Sequence, residues 1–183
     1  MYHIKPDRRS QRSAHLICRG FNRCIAHQNF NQLTISQIVQ ASQVGRATFY
    51  RLFDAKKDIL LYQCDQICKQ AVKDSSVQQS TRDFFLIFTK LCLKNNLLFQ
   101  TIIESHQANL IYETLMKRLT NVKKHFKIAN NLPPEQLDYF LSDLTYLIIG
   151  TLKTWIKHNK RESAQELLTD AAHTIGIIYR SIR

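Results

Sequence analysis

The chain has 183 residues, enough for one compact unit or two small domains sharing a core, and 44% of them are hydrophobic, an ordinary share for a globular protein. Only four glycines and three prolines are present, which argues against a turn-rich β protein, and a formal charge of +12 sets the chain apart from neutral housekeeping surfaces. The longest apolar candidate, YFLSDLTYLIIGTLKTWI, is broken by Ser142, Asp143 and Lys153, so no membrane span is expected, and no apolar stretch follows MYHIKPDRRSQRS as a signal peptide would need.

The expected elements run as follows. Ala14, Ile17, Cys18, Phe21, Cys24 and Ile25 fall on one face of a helix from Arg8 to about Gln28, and Asn29 is placed to end it in the left-handed conformation. TISQIVQAS opens with Thr34 and Gln37 at capping-box spacing, which predicts a short helix with Ile35, Ile38 and Val39 on its buried side. Read as one helix, the run that follows would carry Gly45 in its interior. Breaking it between Ser42 and Gly45 instead gives a turn and a second short helix, RATFYRLF. Gln43 then stands where a tight turn favours glycine, Val44 is the expected plug of the turn, and Gly45 the N-cap. Helices this short need a partner, so both must pack on the first helix. A helix-turn-helix unit results, with its motif at about residues 34–53.

Asp54 is expected to cap a longer fourth helix, and the polar segment DSSVQQST to end it at a domain boundary. Further helices are predicted over roughly 81–94, 96–105 and 107–129, followed by the loop IANNLPPEQ. Pro134 suits the first turn of a helix reaching about Asn159, and a Ser163/Glu166 capping box opens the last one, to about Ser181. The expected fold is all-α, about nine helices without a strand. An N-terminal DNA-binding domain over 1–62, with its basic arm, precedes a helical C-terminal domain over 63–183.

Charge is unevenly placed. The first 60 residues hold ten Lys and Arg against three Asp, so +7 of the +12 lies in the first third, which suits a polyanion such as DNA. The five cysteines are read as free thiols packing as small apolar groups. Cys64 and Cys68 share a helix face, but no CxxC and no neighbouring His accompany them, so neither a metal nor another cofactor is expected. None of the seven His residues sits in a nucleophile–base or metal constellation, and an enzyme is not expected.

The stretch FNQLTISQIVQASQVGRATFYRLFDAKKDIL, taken with Ile17, Phe21 and Ile25, resembles the TetR family of transcriptional regulators. The resemblance rests on Thr34, Ala41, Val44, Thr48-Phe49-Tyr50, Phe53 and Lys56. The chain departs from the family pattern at Gln43, where glycine is common, at Gly45, where the helix cap is usually Ser or Thr, and at Asn29, where glycine usually ends the first helix. YFLSDLTYLIIGTLKTWIKHNKRESAQELLTDAAHTI is similar to a C-terminal type of Firmicutes-like members, in which a Trp precedes a basic stretch and a capping box.

The resemblance implies a dimeric, sequence-specific regulator of near-palindromic double-stranded DNA. It would be a cytoplasmic repressor, nucleoid-associated when bound, and released by a small-molecule effector. The alternative is a DNA-bound adaptor whose C-terminal domain answers to a protein partner. In a helix-turn-helix, Arg46 suits guanine, Ala47 a thymine methyl, and Gln43 a base or a phosphate. Thr48 suits the backbone or a base, Tyr50 the family's phosphate contact, and Arg51 the groove. Thr34 and Lys56 mark helix N-termini that hold phosphates. For an effector pocket the candidates are the aromatic stripe Phe88, Cys92, Phe99 and Ile103, with His106, Tyr112, Met116, Tyr146 and Trp155. For a dimer interface they are Leu144, Leu147, Ile148 and Leu152 on the eighth helix, and Ala171, Ile175, Ile178 and Tyr179 on the ninth, with Gly150 and Gly176 allowing close approach.

Overall fold

Among residues 1–75, 80–122 and 131–182, which the computed structural model describes, every regular element is helical. The order is α1 Arg8–Ile25, α2 Ile35–Ser42, α3 Arg46–Leu52, α4 Lys57–Ser75, α5 Thr81–Lys94, α6 Asn96–Glu104, α7 Asn109–Val122, α8 Pro134–Lys157 and α9 Ala164–Ser181. One 3-10 turn, Phe30–Gln32, lies between α1 and α2. The expected break over 74–81 falls partly outside the described residues, at 76–79. The expected end of the seventh helix falls outside them as well, at 123–130. The chain divides into two compact units, Met1–Gln66 with Leu97–Leu110, and Ile67–Asn96 with Ile111–Arg183. Most of α6 thus belongs to the first unit.

In the first unit the apolar face of α1 buries Ala14, Ile17, Cys18, Phe21 and Ile25, and α1 packs against α2 and α3. Asp7 caps α1 by accepting from the Ser10 N–H at 2.8 Å. Rings Phe21 and Phe30 meet edge-on at 6.2 Å, and Phe49 and Phe53 lie 5.9 Å apart. Arg23 on α1 donates to the Ala41 carbonyl, close to the last turn of α2. The capping box at Thr34 and Gln37 forms as expected, and Gly45 is the N-cap of α3.

Three local expectations are corrected. Asn29 is extended, with φ −65°, and its side chain accepts from the Asn31 N–H at 2.8 Å. It therefore starts the 3-10 turn instead of ending α1 in the left-handed region. Val44 is only half-buried, and the buried residue of the turn is Ser42. Asp54 does not cap α4. That carboxylate pairs with the Met1 ammonium and His3 Nε2, both at 2.9 Å, and Asp58 receives the Ala55 N–H at 2.8 Å instead. The N-terminal segment, for its part, is docked on the end of α3. Tyr2 bridges Phe53 in antiparallel fashion, the His3 N–H donates to the Leu52 carbonyl at 2.9 Å, and the Tyr2 hydroxyl donates to Asp65 at 2.8 Å.

In the second unit α8 starts with Pro134 at its first position and buries Leu137, Leu141, Leu144, Ile148, Leu152 and Trp155. Helix α9 packs against α8 and α5, with Leu167, Leu168 and Ala171 inward. On α5, Phe84 and Phe88 stack at 6.0 Å within the core. Helix α8 stops at Lys157, short of the expected Asn159, because Asn159 and Lys160 both turn left-handed at φ 59°. The Trp155 indole N–H donates to the Glu162 carbonyl at 3.1 Å and holds this corner, after which the Ser163/Glu166 capping box opens α9.

Candidate nucleic-acid interface

The turn between α2 and α3 depends on an unusual backbone state. Gln43 is left-handed, φ 55° and ψ 32°, where a side chain is strained and glycine is the ordinary choice. Gly45 is extended, so it serves as a cap without using its conformational freedom. Breaking the helix here turns α3 so that Phe49, Leu52 and Phe53 are buried while Arg46, Ala47, Tyr50 and Arg51 form one exposed face. Thr48 is half-buried beside that face, and Gln43 is exposed in the turn.

Two helix ends converge at the start of α3. The Arg46 guanidinium donates to Ser36 Oγ at 3.1 Å and to the Tyr50 hydroxyl at 3.4 Å, and lies 5.6 Å from the Tyr50 ring centre. Ser36 sits in the first turn of α2, where the Thr34 capping box takes two of the four N–H groups that a helix start leaves open. Thr34, Ser36, Arg46 and Tyr50 therefore share one polar surface. Ser36 was not among the expected residues. A serine two positions after an N-cap carries no signal until α3 is laid beside it.

Lys56 is deployed differently from a side chain open to solvent. Its ammonium donates to the carbonyls of Phe30 at 2.8 Å, Asn31 at 3.0 Å and Leu33 at 2.7 Å, and lies 4.8 Å from the Phe30 ring centre. All three N–H groups are thereby committed, and burial pushes the amine below its usual range. The side chain fixes the backbone that leads directly into the Thr34 cap.

Of the residues expected to line a pocket, Phe99, Ile103 and His106 belong to the first unit and the other six to the second. Phe88 and Cys92 are fully buried. Tyr112 and Tyr146 meet at 4.8 Å between ring centres, the Tyr112 hydroxyl lies 3.3 Å from Ser142 Oγ, and the Thr145 hydroxyl reaches Met116 Sδ at 3.8 Å. Tyr146 and Trp155 also line an open cavity of about 450 Å³ between α8 and α9. Of the expected dimer residues, Leu144, Ile148, Leu152 and Ala171 are buried within their own unit and Leu147 is half-buried. Ile175, Ile178 and Tyr179 are exposed, together with Ile177 and Ile182, as a run of large apolar side chains at the end of α9.

Residues 20–62, from Gly20 on α1 into α4, match the family model of bacterial regulatory proteins, tetR family. These residues therefore form a TetR-type helix-turn-helix domain. Among solved structures it is similar to Lin0861 from Listeria innocua, at 16% identity and a TM-score of 0.73, over 99% of this chain and 96% of that one. It is similar also to a TetR transcriptional regulator from Streptococcus agalactiae 2603V, at 19% identity and a TM-score of 0.63, over 92% and 96%. The dihydroxyacetone kinase operon activator DhaS gives 15% identity and a TM-score of 0.64, over 88% and 93%. At these identities the likeness is one of fold. No curated protein matches the chain in sequence.

Proposed function

We propose that this chain acts as a homodimer on near-palindromic double-stranded DNA, as a cytoplasmic repressor that a small-molecule effector releases. One observation carries the DNA part: Arg46, Ala47, Tyr50 and Arg51 form the exposed face of a short helix whose other face is core. Arg46 reads a guanine edge by two donors, and Ala47 admits a thymine methyl. Gln43 and Thr48 reach bases or backbone from the turn and the flank. Tyr50 and the start of α2 at Thr34 hold phosphates, and Lys56 contributes by fixing the 30–33 backbone on which that start depends. Arg51 points along the same face toward the groove. Residues 1–62 serve DNA, and 63–183 serve the effector and the dimer.

The dimer is supported by α9. Ile175, Ile178, Tyr179 and Ile182 are all more than half exposed, and a methyl added at Gly150 or Gly176 would meet nothing within 4 Å. A second copy would cover that apolar stripe and pair two recognition helices over two half-sites. The effector reading is supported by the cavity at Tyr146 and Trp155, whose volume of about 450 Å³ falls within the size range of small-molecule sites.

The second reading, an adaptor governed by a protein partner, is favoured by the burial of Phe88 and Cys92 beside the stacked Phe84, which makes that stripe core. The name of one structural neighbour, an operon activator, fits regulation other than repression.

Selection from a random duplex pool at fixed salt, with the mass of the free protein measured by light scattering, tests the proposal. A near-palindrome and a dimeric mass are expected. Sequence-blind binding that salt abolishes would remove the base-reading role of α3, and a monomeric mass would remove the dimer.

A further inference from the structure

The docked N-terminal segment builds a basic cavity at the far end of α3. It has a volume of about 270 Å³ and is lined by His3, Lys5, Asp7, Arg9, Ser10 and Arg51. Its walls are fixed by the fold. The Lys5 N–H donates to Ser10 Oγ at 3.1 Å, Gln11 donates to the Lys5 carbonyl at 3.0 Å, and the His3 N–H binds the Leu52 carbonyl at the end of α3. Asp7, the one carboxylate in the lining, is occupied as the α1 cap. His3 is occupied by Asp54. Among the described residues no carboxylate pairs with Lys5, Arg9 or Arg51, so three cations face one cavity against the single carboxylate of Asp7.

We propose that Lys5, Arg9 and Arg51 form a seat for a backbone phosphodiester of DNA, a second clamp at the end of α3 opposite the Thr34–Ser36–Tyr50 surface. The inference rests on the DNA-binding reading and adds the N-terminal segment to the interface. Arg51 shares the exposed α3 face with Arg46 but lies at its last turn. A helix of seven residues spans roughly 10 Å, close to the ~12 Å width of the major groove. Anion seats at its two ends therefore bracket a groove that the helix enters. A carboxylate ligand would satisfy the same charge, but only a polyanion engages both ends at once.

The test is the double variant Lys5→Gln/Arg9→Gln in the full chain, with Lys90→Gln/Lys94→Gln as a control of equal charge change. Affinity for the selected duplex and for a scrambled one is measured as a function of salt, after thermal melting shows each variant folded. Loss of one phosphate contact makes the log–log salt slope shallower by about one. The seat predicts that loss for the test pair on both duplexes, unchanged sequence preference, and no such loss for the control. Equal slopes in wild type and test variant, or equal losses in test and control, overturn it. A wild-type chain that binds neither duplex overturns the DNA-binding reading itself, an outcome distinct from failure of the seat.

Discussion

Gly20 on α1 lies directly against Ser42 on α2: a methyl added at Gly20 would sit 2.6 Å from the Ser42 nitrogen and 2.7 Å from its Cα and Cβ. Two of these three atoms are backbone and cannot swing aside. Gly20→Ala therefore forces α1 and α2 apart, at about 1–3 kcal/mol. Urea unfolding should show the loss, and DNA affinity should fall with it. An unchanged midpoint would mean that the two helices separate freely.

Gln43 holds a left-handed conformation that costs a side-chain-bearing residue about 1 kcal/mol or more. Gln43→Gly should raise the melting temperature, and Gln43→Val, β-branched and disfavoured at positive φ, should lower it. If Gln43 also touches DNA, the glycine variant becomes more stable and binds more weakly, so melting and affinity separate the two roles of the side chain.

Lys56→Met leaves three carbonyls without their shared donor while preserving most of the side chain's apolar length. A loss of about 1 kcal/mol is expected, since the three bonds are only partly shielded from water. Lys56→Arg should not restore stability, because a planar fork cannot aim three donors at carbonyls converging on one point. Full rescue by arginine would show that charge alone matters there.

The capping box of α9 makes its start acid-sensitive. Backbone and side-chain hydrogen bonds from Ser163 hold the Glu166 carboxyl below its usual range. A carboxyl lowered on folding adds stability above its unfolded value, near pH 4–5, and that contribution is lost as pH falls through the folded value. Glu166→Gln should flatten the acid limb of a melting-temperature profile. Ser163→Ala should cost about 1 kcal/mol at neutral pH. A wild-type profile matching that of the glutamine variant would show that the bond is absent in solution.

The sequence by itself determined which segments are helices and where several of them begin. Thr34 with Gln37, Ser163 with Glu166, and Pro134 each act within one turn of the chain, so their chemistry is local and readable. The break at Ser42–Gly45 was legible for the same reason, since one glycine inside an amphipathic run disfavours a continuous helix. The exposed α3 face followed from periodicity once the break was made.

Only the tertiary structure decided how these pieces meet. Gly20 is an unremarked helical glycine until α2 is laid on it, and Lys56 becomes a loop clamp only because it reaches carbonyls 23 to 26 residues away. The first residues carry no local mark of docking, yet the backbone of Tyr2 and His3 pairs with the end of α3, fifty residues on. On α8 and α9 the apolar pattern was plain. Which positions face the core and which face out, Ile148 against Ile178, depended on packing. Hydrophobic periodicity states that a face is to be covered, and long-range contacts, which leave no local mark, state by what.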